Sequence, residues 1–165
     1  METGRSAEIA AVRETLNVYS TQRGAARDAI DVVLGKRMYV RIAVHYALRP
    51  TYRTDVVEPM IRRALGVNVG KTTREEDQTG LFSLRRRRFG GREYASSIEG
   101  TVQNVEGVLW ASTVAFTALS DADDPAAIVL PSTSILDSIV ACDNGHILSL
   151  FDKHLMVTAV AEGGS

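Results

Sequence analysis

The chain has 165 residues, of which 45% are apolar and 24% charged, and its 19 basic and 20 acidic side chains leave a formal net charge of -1. A chain of this length and balance buries a core without help from disulfides or metal, which excludes collagen-like and wholly disordered classes. The lack of a positive excess weighs against a protein whose main task is coating nucleic acid.

The first element in chain order is a helix over residues 7–23, with Ile9, Val12, Leu16 and Tyr19 on one stripe, Ser6 at the N-cap position and Gly24 as its stop. Residues 1–24 are expected to form an N-terminal helix or arm, ahead of a single domain over 25–161 and a disordered tail over 162–165. A short apolar stretch, 29–34, reads as a strand. Residues 38–47 alternate strictly: Met38, Val40, Ile42, Val44 and Tyr46 point one way, Tyr39, Arg41, Ala43, His45 and Ala47 the other. That pattern gives one buried and one wetter face. A second helix follows over 55–65, with Thr54 as N-cap, Val57, Met60, Ile61 and Leu65 as its apolar face, Arg62 and Arg63 in its last turn and Gly66 as its stop.

Residues 67–91 lack periodicity and hold the block Arg85, Arg86, Arg87, Arg88, with a small apolar island at Leu81, Phe82 and Leu84. A polar stretch of this length reads as a loop or hairpin projecting from the body. Then come a third helix over 93–104, with Tyr94, Ile98 and Val102 on one side, a turn at Gly107, and a long strand over 108–119. Residues 120–131 read as loop. The C-terminal part is 135–142, a turn at Asp143-Asn144-Gly145, then strands over 147–151 and 154–160; Asn-Gly is a hairpin signal because both residues tolerate positive φ. The fold class is α+β: a small, mainly antiparallel sheet with two or three helices on one face, a projecting loop or hairpin and an N-terminal helix.

Chemical motifs are sparse. Gly70-Lys71-Thr72 imitates part of a phosphate-binding loop, but Gly66 stands one residue too near and the segment follows a helix instead of a strand. His45, His146 and His154 lack a second ligand at metal-binding spacing. Ser96-Ser97 and Ser132-Thr133-Ser134 lack a nucleophile elbow. Cys142 has no cysteine to pair with, forms no zinc cluster, and lies next to Asp143, which disfavours a thiolate. Asp121, Asp123 and Asp124 lack calcium-loop spacing. No catalytic, metal or cofactor site is assigned, and none of the expected partners is a cofactor. The block Arg85 to Arg88 fits either an acidic surface or phosphate, with Glu75, Glu76 and Asp77 upstream available to offset it. Trp110 and Tyr94 fit core or half-core positions better than interface anchors.

Three stretches, taken in order, resemble the C-terminal portion of baseplate J-like proteins of contractile phage tails and related injection systems. They are Tyr39-Val40-Arg41-Ile42-Ala43-Val44 with Pro50-Thr51-Tyr52 and the helix to Leu65; Phe89-Gly90-Gly91-Arg92-Glu93-Tyr94-Ala95-Ser96-Ser97-Ile98 running on through Val102-Gln103-Asn104-Val105-Glu106-Gly107-Val108; and Ile147-Leu148-Ser149-Leu150 with His154-Leu155-Met156-Val157. Members of that family are usually several times longer, with an N-terminal part not found in this sequence, so the expectation is a reduced homologue, a separate small subunit or a fragment of a longer protein. The resemblance implies a non-enzymatic baseplate wedge component whose partners are other baseplate subunits: a copy of itself or a paralogous wedge partner, and hub or sheath-proximal proteins. It also implies cytoplasmic assembly into a phage-like particle. The expected interface residues are Phe82, Arg85, Arg86, Arg87, Arg88, Tyr39 and Arg41. The alternative is a small nucleic-acid-binding or regulatory domain built on Arg85 to Arg88. No run of 18 apolar residues and no apolar leader occurs, so no membrane partner is expected.

Overall fold

The computed structural model describes residues 2–22, 34–67 and 79–161, with side chains described from Ser6 to Val18 in the first helix. Two compact units emerge, Met1–Gly35 and Lys36–Ser165. The first unit contains α1 (Glu2–Gln22). The helix begins earlier than the sequence stripe suggests, so Ser6 lies inside it, and Val12, Leu16 and Val18 are exposed. The strand expected over 29–34 and the tail over 162–165 lie outside the described residues, Leu34 excepted.

The second unit is α+β. Its elements are β1 (Lys36–Leu48), α2 (Thr54–Leu65), β2 (Arg92–Tyr94), α3 (Ala95–Gln103), β3 (Val108–Ala118), a 3-10 turn at Pro125–Ala127, β4 (Ile139–Ala141) and β5 (His146–Ala159). β1 is the middle strand of three, with β3 antiparallel on one side and β5 parallel on the other. The sheet is therefore mixed. β2 and β4 form a separate antiparallel pair. The Asp143-Asn144-Gly145 turn consequently closes no hairpin: its two arms, β4 and β5, pair with different strands, although His146 N–H still bonds Asp143 C=O at 2.8 Å. The two strands expected over 147–151 and 154–160 are one, broken in register between Leu150 and Leu155, which face Val40 and Ile42.

The alternation of β1 sends Val40, Ile42, Val44 and Tyr46 into one core with Val57, Ile61 and Leu65 of α2 and Ile98 and Val102 of α3. Both helices thus supply their i, i+4 apolar rows to one side of the sheet. Met60, on the edge of the α2 stripe, stays outside. The third helix starts two residues later than its apolar pattern suggests, because Glu93 and Tyr94 are held extended by pairing with Val140 and Ile139. Gly107, at φ 93°, makes the turn into β3; a Cβ there would lie 2.5 Å from the Tyr52 ring.

The end of α2 is fully accounted for. A helix leaves its last four carbonyls without intrahelical partners. Here Val67 N–H bonds Arg62 C=O and Gly66 N–H bonds Arg63 C=O, with Gly66 at φ 90° in the left-handed region that glycine favours. The returning chain supplies the other two: Leu81 N–H bonds Ala64 C=O at 2.9 Å and Phe82 N–H bonds Leu65 C=O at 3.0 Å. The approach is close enough that a Cβ on Gly80 would sit 2.3 Å from the Gly66 backbone. Gly80→Ala should therefore destabilise by at least the ~1–3 kcal/mol of an overpacked core. Gly100→Ala, in α3 with nothing within 4 Å of the new Cβ, should stabilise by about 0.5–1 kcal/mol. Urea denaturation of both variants checks the opposite signs.

Candidate functional site

The arginine block does not project. Residues 79–91 return against the body, and Leu81, Phe82 and Ser83 are buried. Phe82 joins the core because its own N–H and that of Leu81 are spent on the end of α2. Arg87 follows it inward. Its guanidinium lies 4.4 Å from the centre of the Phe82 ring, its Nε donates to Leu81 C=O at 2.8 Å, and it forms an ion pair with Glu93. Only 7% of the Arg87 side chain and 9% of the Glu93 side chain are exposed. Glu93 also accepts from Tyr94 N–H at 3.0 Å. The planar fork of arginine suits this stacked, several-bonded position, which a lysine ammonium would not fill.

The expected interface set therefore divides. Phe82, Arg87 and Tyr39 are interior or nearly so. Arg41 is half-buried and donates to Pro131 C=O and, at 3.2 Å, to Thr133 C=O, which pins the 120–134 segment over one end of the sheet. Arg86 donates to Thr79 C=O at 3.2 Å. Arg85, Arg86 and Arg88 are exposed. The glycine, lysine and acidic residues of 70–77 lie outside the described residues.

The sheet has a second face, opposite the helices. At one end it is roofed by the segment carrying Pro125 and Pro131: His154 Nε2 meets Pro125 C=O at 3.0 Å, and the His154 ring packs edge-on against Tyr39 and Phe151. Burial holds the His154 pKa below its ordinary 6.5, with the Pro125 carbonyl opposing the shift. Towards the other end the face is open. Ala47 is opposite Trp110, His45 opposite Ser112 and Thr158, and Ala43 opposite Met156. Trp110 and Met156 are exposed, Met156 by 57%, over small neighbours. Trp110, 38% exposed and opposite Ala47, is partly covered, within the core or half-core placement its size suggests. Tyr94 and Ile139 likewise face outward together from β2 and β4, while Glu93 and Val140 face inward.

One arrangement escaped sequence reasoning. β3 is an edge strand, and two polar residues of α3 close part of that edge. The Gln103 side-chain amide donates to Leu109 C=O at 3.1 Å and accepts from Ala111 N–H at 3.0 Å, as a neighbouring strand would. Glu99 accepts from Thr113 N–H at 3.1 Å. Further along, Phe116 N–H bonds Ile135 C=O and Asp137 N–H bonds Phe116 C=O, both at 2.8 Å. The signal in the sequence is the i, i+4 polar pair Glu99 and Gln103 one position after the buried Ile98 and Val102.

The remaining polar groups are dispersed. Asp121 accepts from Lys36 at 3.3 Å and lies 3.2 Å from His146 Nε2; these two bonds hold its carboxyl below the usual range. Cys142 Sγ lies 3.4 Å from Gly91 C=O and 3.2 Å from His146 C=O. Among the described residues no three His, Cys, Asp or Glu side chains gather as metal ligands, and no helix is long and apolar enough to cross a membrane. The chain matches no protein-family model, and no curated protein matches it in sequence.

Removing one partner of a buried ion pair leaves the other charge stranded. Arg87→Ala should cost about 3–5 kcal/mol, whereas Arg85→Ala and Arg88→Ala should stay within about 0.5 kcal/mol; denaturant titration separates them. His154 gives a pH signature. Because its folded pKa is lowered, the unfolded chain binds the proton first, so stability is complete above the ordinary value near 6.5 and is lost as pH falls below it. Denaturation midpoints between about pH 5 and 8 should show this slope, reduced in His154→Gln.

Proposed function

We propose that the chain is a structural component of a contractile phage-tail-like injection system, a baseplate wedge part that works through protein–protein interfaces. Its partners in this reading are other baseplate subunits, assembled in the cytoplasm. The resemblance of the three stretches around β1, β2–α3 and β5 to baseplate J-like proteins motivates the reading. The observation that supports it most is the apolar surface that ordered strands present: Trp110 and Met156 on the open sheet face, with Tyr94 and Ile139 on the outer face of β2–β4. Tryptophan, tyrosine and methionine at exposed, rigid positions have the composition of interface cores.

The nucleic-acid alternative draws less support. Its strength lay in four adjacent guanidinium groups, and Arg87 is turned inward onto Glu93 and Phe82. Phosphate binding gains from each cation free to release counterions, and the block offers fewer than its sequence suggests.

The test is incorporation. An affinity-tagged chain, produced in cells making the particles, should copurify with sheath-bearing assemblies visible by negative-stain electron microscopy. Trp110→Ser combined with Met156→Ser should lower incorporation at least tenfold, the order of loss expected when interface anchors are removed, with the thermal midpoint changed by only a few degrees. A chain found solely as free monomer, or retained on DNA in a steeply salt-dependent way, overturns the reading.

A further inference from the structure

The two edges of the three-stranded sheet are treated differently. The outer edge of β3 is closed by Gln103, Glu99 and the 135–137 segment. Among the described residues, no other strand pairs with the outer edge of β5; Gly90 N–H reaches His146 C=O at its first residue. An unpaired strand edge is a template for a further strand unless something blocks it.

Beside that edge lies a cleft of about 490 Å³, with Ser149, Leu150 and Phe151 of β5 among its walls and Ser83, Arg85 and Arg37 among the others. Its polar groups are incomplete. Ser83 and Ser149 are only 7% and 5% exposed, yet neither hydroxyl has a hydrogen-bond partner. Both oxygens are sealed from solvent, so they belong to the wall behind the cleft and not to the surface that an occupant meets. Arg37 and Arg85 are exposed and have no carboxylate partner among the described residues. Asp152 also lines the cleft, but its carboxylate is engaged by Arg62 at 2.8 Å. The unbalanced charge there is positive.

We propose that this cleft receives an extended, acid-bearing segment of a partner protein, which pairs with the free edge of β5 over residues 147–151 and sets carboxylates against Arg37 and Arg85. The main-chain ladder supplies affinity independent of sequence, and the guanidinium groups select for acid. This rests on the reading of the chain as an assembly part and names the chemistry of one partner.

The test uses the full chain and three probes: a capped peptide of alternating Glu and Val, its Lys and Val counterpart, and sodium phosphate. Backbone amide shifts and hydrogen exchange are followed by NMR. The acidic peptide should give saturable shifts in residues 83–85 and 147–151 and slow amide exchange in 147–151. Arg37→Gln with Arg85→Gln should weaken it at least tenfold and flatten its dependence on salt between ~50 and ~300 mM. No saturable shift at millimolar peptide, equal binding of the Lys and Val peptide, or phosphate shifts that the acidic peptide does not exceed each overturn the proposal. If the double variant binds no peptide but enters particles at the normal level, the cleft proposal fails and the assembly reading stands.

Discussion

The position of β1 constrains everything else. It is the strand bonded on both sides, and its two neighbours run in opposite senses relative to it. A parallel partner cannot be reached by a tight turn, so the chain has to travel between β1 and β5. All of α2, α3 and β3 lie in that excursion. The helices in it cover the Val40, Ile42, Val44 and Tyr46 face, and this leaves the opposite face to be covered by loop at one end and by nothing within the described residues at the other. The distribution of core and exposed apolar surface follows from one central strand with a mixed pair of neighbours.

Within that frame, the backbone groups that helices and edges leave over are met by nearby chain. The last carbonyls of α2 are met by Gly66, Val67, Leu81 and Phe82, and the free side of β3 is met by Gln103, Glu99 and residues 135–137. The first of these draws residues 79–91 onto the body and brings Arg87 over Phe82 and against Glu93. A run of four charges thus contains one member that is part of the interior.

The elements legible in the sequence were those whose pattern is self-contained. β1 shows strict alternation, α2 carries an i, i+4 row and a glycine stop, and β3 is long and rich in branched residues. Alternation says which way a side chain points but not which strand lies alongside or in what direction, so β5 read as part of an antiparallel ending. The Asn144-Gly145 turn is real, yet a turn becomes a hairpin only if both arms find each other, and β4 is held by β2 instead. The candidate interface was harder to read. Charge blocks are read as solvated by composition, and nothing local says that Glu93, six residues beyond Arg87, will be folded beneath it. Tyr39 and Arg41 fell on the face read as wet, which is roofed there by a segment more than 80 residues later in the chain. Trp110 falls at the half-core end of its reading: its register opposite Ala47 leaves it partly covered on the sheet and partly outward.

The unequal edges of the sheet set a limit on growth. A sheet free on both sides can add copies without end, which is the geometry of a fibre. Among the described residues β3 is closed by side chains from α3 and β5 alone keeps an unpaired edge, so under the cleft proposal this sheet has a valence of one. A neighbour proposed to pair along β5 would then find no second edge through which the pairing could propagate, and such a union would stop at a finite number of strands.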